Sequence, residues 1–310
     1  MDEDTNDISQ KILSKDLTDR KECFEILLNS FNKILYEKDA SKDIKNEKQH
    51  YFHLVAQKAM LNGYSILKLF NGIEVLNISS GNNFTVFDPS SMVVLSRSLL
   101  ESYLTFNYVY NVKSELESNF KFNLWLQYGL RNRIKTENTI QIEKEEHKST
   151  LENDKINREK LLTEIKESEF FKALHEANHS DFLKTIKSNW KIGIQGNNFI
   201  SLGWQNLLDN TGIKPELSKE VYNFLSWYSH STCISIFQFR DMYVSGFSNF
   251  LLYNTLNQSS FIISMFISDM VRFDSDYKPG YETLSQEARE YINTYNYILR
   301  NNEYTIDKFE

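Results

Sequence analysis

The sequence predicts an all-α protein, a multi-helix bundle with a long charged helical arm or hairpin. Three observations carry that prediction. Only 3 Pro and 10 Gly interrupt 310 residues, so few positions force a break and long helices are favoured over many short strands. The hydrophobic fraction is 41% and the aromatic fraction 14%, a composition that buries a core and does not stay disordered. The apolar residues recur three and four apart, the period of one helix face.

Residues 1–17 are polar and read as a frayed tail. Thr18 or Asp19 is placed to cap a helix to about Lys38, with Phe24, Leu27, Leu28, Phe31, Ile34 and Leu35 as its apolar stripe. The next helix is the clearest, from Phe52 through Ala56, Ala59, Met60, Gly63, Ile66 and Leu67 to Phe70. Residues 71–87 read as a connection. Asp88-Pro89 then joins an N-cap to a proline at the first helical position and opens a third helix over about 89–112, apolar nearly all round.

From Ser114 to Ser168 the chain is dense in Glu, Lys and Asn, which reads as one long helix or a hairpin reversing near 148, where Ser149-Thr150-Leu151-Glu152 resembles a capping box. Two short helices are expected over 168–188. The run 190–202 is the one place where extended structure, a small hairpin, is expected. Helices follow over about 201–209, 217–239, 247–273 and 284–301, separated by Gly212, Pro215, Gly246, Pro279 and Gly280.

Charge and composition exclude several classes. The formal net charge of −7 disfavours a non-specific nucleic-acid binder, which needs a basic face. Cys23 and Cys233 are too few for a disulfide framework. The acidic start Met1-Asp2-Glu3-Asp4 lacks the basic and then apolar pattern of a signal peptide. Met242 to Ser268 holds no charge and is long enough to cross a bilayer, but Asn249, Asn254, Asn257 and Gln258 fit a helix buried in protein better. A cytoplasmic protein without a membrane span is therefore expected.

One polar set stands out on apolar helices. Arg97 and Glu101 are four apart on the Asp88-capped helix, within ion-pair reach. Val93, Leu100, Leu104 and Tyr108 share their face, and Leu95, Leu99 and Phe106 take the other, so the pair has no obvious solvated side. Tyr222, Ser226 and His230, with Ser231 beside the histidine, form a second stripe on the 217–239 helix. His230 is the only titratable side chain between Glu220 and Arg240 apart from tyrosines and Cys233. If the two helices pack together, Arg97, Glu101, Tyr222, Ser226, His230 and Ser231 line a pocket. Arg97 would take a phosphate or carboxylate there, and His230 and Glu101 are the candidate catalytic groups. The plainer alternative is a structural ion pair and a satisfied core histidine.

This pairing of Arg97-x-x-x-Glu101 with Tyr222-x-x-x-Ser226-x-x-x-His230 resembles a family of uncharacterised bacterial helical proteins of unassigned function, over about residues 50–270. The resemblance implies an all-helical fold and no settled activity. It is distantly similar to the HEPN-like helical nucleases of toxin–antitoxin and phage-defence systems. Their helices carry Arg followed five to seven positions later by His, which none of the six histidines here provides.

A second motif is His175-Glu176-Ala177-Asn178-His179. Two histidines four apart on a helix can share a Zn²⁺ while the intervening Glu acts as base on the bound water. The surroundings fit poorly: the preceding segment is charged helix, and Ser180-Asp181 reads as a helix break. His50 and His53 read as ordinary helix residues. No Gly-rich phosphate loop, nucleophile elbow or Cys-x-x-Cys occurs.

The expected organisation is an N-terminal helix and tail at 1–48, a bundle at 49–275 including the arm at 114–168, and a C-terminal helix at 276–310. The expected function is a helical binding or effector protein, as in a bacterial stress or defence system, meeting a protein partner or a second copy through the arm, with no cofactor. A Zn-dependent hydrolase using His175, Glu176 and His179 is one alternative. A HEPN-like ribonuclease without the usual Arg/His pair is the other, and the residues leave open whether the chain is an enzyme.

Overall fold

The structure, a computed structural model, describes residues 8, 10–40, 46–139, 145–227, 233–241 and 247–307. It is all-α apart from two small β-hairpins. The chain divides into two compact units, residues 1–106 with 208–310, and residues 107–207. Residues 1–48 and 276–310, read from sequence as separate end segments, share the first unit with residues 49–106.

In the first unit, α1 (Leu17–Ala40), α11 (Phe247–Phe273) and α13 (Gln286–Leu299) pack against one another. The sequence explains why: the α1 stripe Phe24, Leu27, Leu28, Phe31 and Ile34 is wholly buried, and so are Ile262, Ile263, Phe266 and Ile267 on α11. Phe266 is the hub, 5.0 Å from Phe31 of α1 and 4.9 Å from Phe106 of α3 (Pro89–Val109). Phe106 in turn lies 5.2 Å from Phe52 of α2 (Glu47–Phe70), so one aromatic chain crosses four helices.

The helix starts are chemically explicit. Asp16, not Thr18 or Asp19, caps α1: its Oδ1 accepts from the backbone N–H of Thr18 at 2.7 Å and of Asp19 at 3.3 Å. Asn46 caps α2 by accepting from Gln49 N–H. Asp88 caps α3 as the sequence implies, accepting from Ser91 N–H at 3.0 Å.

Helix α11 contains most of the uncharged run, yet no helix among the described residues is long and apolar enough to cross a membrane. Its hydroxyls serve the core: Ser259 shares a hydrogen bond with Ser96 at 2.7 Å, and the Ser264 hydroxyl accepts from Asn296 Nδ2 at 3.2 Å. At its end Asp269 meets Arg300 and Tyr103. Arg300 Nη1 donates to both Asp269 oxygens at 2.8 and 3.0 Å, and Tyr103 OH donates to the same carboxylate at 2.7 Å. Arg300 Nε and Nη2 donate to Asn296 Oδ1. Burial, and then the Asp269 charge, hold the Tyr103 hydroxyl well above its ordinary range.

Several sequence expectations are corrected. Residues 71–87 contain an antiparallel hairpin, β1 (Ile73–Leu76) and β2 (Asn83–Val86), with Ile73 opposite Val86. Of the stretch read as a helix over 217–239, the described residues form α9 (Pro215–Trp227) and α10 (Cys233–Asp241), and 228–232 lie outside the described residues. Pro279-Gly280 lies within a short helix, α12 (Lys278–Glu282), because proline tolerates the first helical positions.

The second unit begins with the charged segment folded as a hairpin of two packed helices, α4 (Glu115–Thr139) and α5 (Glu145–Glu167). The reversal therefore falls before Ser149, which sits inside α5. Arg133 Nε and Nη2 donate to the Asp154 carboxylate and fasten the two helices. Short helices α6 (Glu169–Lys172) and α7 (Glu176–Thr185) follow, then the expected hairpin β3 (Ile192–Gln195) and β4 (Asn198–Ser201). Its two-residue turn places Gly196 at φ +57°, the glycine-first geometry of a tight hairpin turn. Phe120, Leu124, Ile165, Phe171, Leu174, Phe182, Ile186 and Ile192 form this unit's core. Tyr108 hydrogen-bonds through its hydroxyl to Ile192, accepting from the N–H at 2.9 Å and donating to the carbonyl at 2.8 Å. The remaining helix α8 (Trp204–Asp209) leads back to the first unit.

Candidate functional site

The third helix positions Arg97 and Glu101. With Val93, Leu99, Leu100, Leu104 and Phe106 fully buried, α3 is fixed in rotation, and Arg97 is left 8% exposed. Its Nε donates to Glu101 Oε1 at 3.0 Å. The Glu101 side chain is 37% exposed, so the pair does have a solvated side. The sequence hid that side because Val94, 46% exposed, lies on it and reads as core.

Helix α9 supplies the rest. Arg97 Nη1 donates to Ser226 Oγ at 3.1 Å, and its guanidinium carbon stands 4.4 Å from the centre of the Tyr222 ring. Tyr222 and Ser226 are four apart on α9, one turn, so both face the same neighbour. The structure thus brings Arg97, Glu101, Tyr222 and Ser226 into one cluster. His230 and Ser231 lie outside the described residues, and α9 ends at Trp227.

The cluster's chemistry differs from that of the Arg300 network. Arg300 and Asp269 are both wholly buried, and the guanidinium is answered by a full carboxylate and an amide oxygen. Arg97 is almost as deep, but it meets one half-exposed carboxylate, one neutral hydroxyl and one ring face. Among the described residues nothing accepts from its Nη2. That arrangement orients a guanidinium and leaves donors unused, which suits a planar or tetrahedral oxyanion.

The His175 motif is built otherwise than the zinc reading requires. Helix α7 begins at Glu176 and runs on to Thr185, so Ser180-Asp181 does not break it. His175 is its N-cap at φ −57°, ψ 135°, off the helical spiral, and its side chain makes no cap hydrogen bond. The i, i+4 geometry that would let His175 and His179 share an ion is therefore absent. His179 instead stacks on Phe171, with ring centres 4.3 Å apart. Among the described residues, no three His, Cys, Asp or Glu side chains converge on one point.

Two further charged features were not read from the sequence. The Asp269–Arg300 network was hidden because Asp269 lies on α11 and Arg300, 31 residues on, caps the end of α13. Arg20 is 1% exposed, and here a signal was present: it sits four before Phe24, on the buried stripe of α1.

No curated protein and no solved structure matches the chain. A model for a family of unknown function, DUF5677, matches residues 64–243, more than half of the chain. The matched stretch holds Arg97, Glu101, Tyr222, Ser226 and the His175 motif, and leaves Arg20, Asp269 and Arg300 outside it. By that match the chain belongs to this family of unknown function.

Proposed function

We propose that the chain is a helical binding or effector protein that takes an anionic group, a phosphate or a carboxylate, on Arg97. The observation that supports this is the incomplete pairing of a deeply placed guanidinium: Nε and Nη1 are held by Glu101 and Ser226, and Nη2 has no acceptor among the described residues. Tyr222 shields the cation and fixes its plane, so an arriving oxyanion meets oriented donors. Glu101, on the solvent side, is placed to yield Nε to an arriving anion.

The setting we infer is the cytoplasm of a bacterium, in a stress or defence system. That setting extends the distant resemblance to HEPN-like helical proteins, and the two free cysteines, Cys23 and Cys233, suit a reducing compartment. The contact surface for a protein partner or second copy is the α4–α5 hairpin, where Ile156 stays 60% exposed among paired charges such as Lys155 with Glu152.

Calorimetric titration of the full chain with inorganic phosphate and with acetate tests the anion reading. Saturable binding of either, weakened about tenfold or more in Arg97→Gln with the circular-dichroism spectrum unchanged, is the expected result. Equal binding by the wild type and Arg97→Gln would refute it.

A further inference from the structure

A second cationic site lies in the first unit, outside the matched family region. A cavity of about 470 Å³ opens between the start of α1 and the start of α11, lined by Lys15, Asp16, Leu17, Phe250, Tyr253 and Asn254 with Asn249. Two aromatic rings line it, those of Phe250, 56% exposed, and Tyr253.

One turn further along both helices sit Arg20 and Asn257. Arg20 is 1% exposed, yet no carboxylate among the described residues pairs with it. Nη1 donates to Asn257 Oδ1 and to Tyr295 OH, each at a long 3.3 Å, and Nη2 donates to the Lys11 carbonyl. Nε is buried with no hydrogen-bond partner. The neighbouring acids are engaged elsewhere. Glu22 and Glu287 flank Lys11 at 3.7 and 3.9 Å, and Asp16 caps α1. The guanidinium carbon lies 5.6 Å from the centre of the Tyr253 ring, which lines the cavity.

A buried cation without a counter-ion is costly, and the fold elsewhere shows how it neutralises one, through Asp269 at Arg300. At Arg20 only neutral oxygens answer the guanidinium among the described residues, so its positive field reaches the neighbouring cavity through the Tyr253 ring. Lys15, exposed at the cavity's rim and free of any partner among the described residues, adds a second positive charge, set against the one carboxylate of the lining, Asp16, which the N–H groups of Thr18 and Asp19 hold. Asn249 and Asn254 offer amides beside the rings.

We propose that this cavity binds a small aromatic anion, a carboxylate or a phosphate monoester. Its flat body lies against Phe250 and Tyr253, and its charged end is drawn to Lys15 and the field of Arg20. The site is independent of the Arg97 cluster.

Calorimetric titration of the full chain with benzoate, phenyl phosphate and neutral benzamide tests it. At least one of the two anions saturates at millimolar concentration, and which one does so identifies the headgroup; benzamide, which keeps the ring and loses the charge, binds about tenfold more weakly. Lys15→Glu, a change at an exposed residue that leaves the core intact, weakens the anion about tenfold. The proposal is overturned if benzamide binds as well as benzoate and phenyl phosphate, if Lys15→Glu leaves both anions unaffected, or if neither anion saturates by about 10 mM.

Discussion

Arg97 and Ser226, 129 residues apart in sequence, meet through a 3.1 Å hydrogen bond that joins α3 to α9. The bond puts the Tyr222 ring and the Glu101 carboxylate around one guanidinium and leaves part of that guanidinium unused. The wholly buried Asp269–Arg300 pair is the internal contrast, because there every strong donor is answered within the fold. The contrast sets an arginine answered wholly inside the fold beside one answered only in part among the described residues.

Asp269→Asn should destabilise the protein by about 3–5 kcal/mol, because it leaves Arg300 charged, buried and short of its counter-ion. Urea unfolding followed by circular dichroism reads the loss directly. A change under about 1 kcal/mol would mean that Tyr103, Thr211 and Asn296 alone satisfy Arg300.

Gly212 should not tolerate a side chain. It sits at φ +82°, and a Cβ there would run into the Tyr304 hydroxyl oxygen and the ring carbon that carries it. Gly212→Ala therefore combines backbone strain with a clash and is expected to lower stability by more than about 1 kcal/mol. An unchanged melting temperature would contradict the placement of Tyr304 against this turn.

The two thiols should differ sharply. Cys23 is fully buried, and burial pushes its thiol pKa up, whereas Cys233 is exposed. Titration of the native protein with a disulfide reagent near neutral pH should release one equivalent quickly, and the second only on unfolding. Two fast equivalents would show that Cys23 is not enclosed by the helices packed on α1.

Acid should loosen the start of α1. Hydrogen bonds from Thr18, then Asp19, hold the Asp16 carboxyl below its ordinary value of 3.8. A depressed folded-state pKa means that the cap's contribution is present above the unfolded value. It fades as the pH falls through the folded one. Carboxyl-carbon NMR should place the Asp16 midpoint below 3.8; a midpoint at or above that value would remove the cap.

Much of this was legible in the sequence, for physical reasons that also explain the misses. The helical period of Phe24 to Leu35 and the Asp88-Pro89 start declared their elements because burial and capping act locally. The Arg97–Glu101 and Tyr222–Ser226 spacings were readable because residues four apart share a helix face. The β1–β2 hairpin was not, since its residues are exposed on both faces and no buried side imposes an alternating pattern. The reversal of the charged arm was misplaced because a capping-box pattern at Ser149 also occurs inside a helix. Asp269–Arg300 and the cavity beneath Tyr253 depend on which helices pack together, and one-dimensional spacing does not carry that information.

The most direct measurement of the central claim is the unfolding free energy of Arg97→Met, which keeps the apolar stem and removes the charge. If Arg97 is held for a ligand, its loss strands only the half-exposed Glu101, so stability should fall by no more than about 1 kcal/mol. A loss of about 3–5 kcal/mol, the magnitude expected for a broken buried pair, would make Arg97 a structural residue and contradict the account.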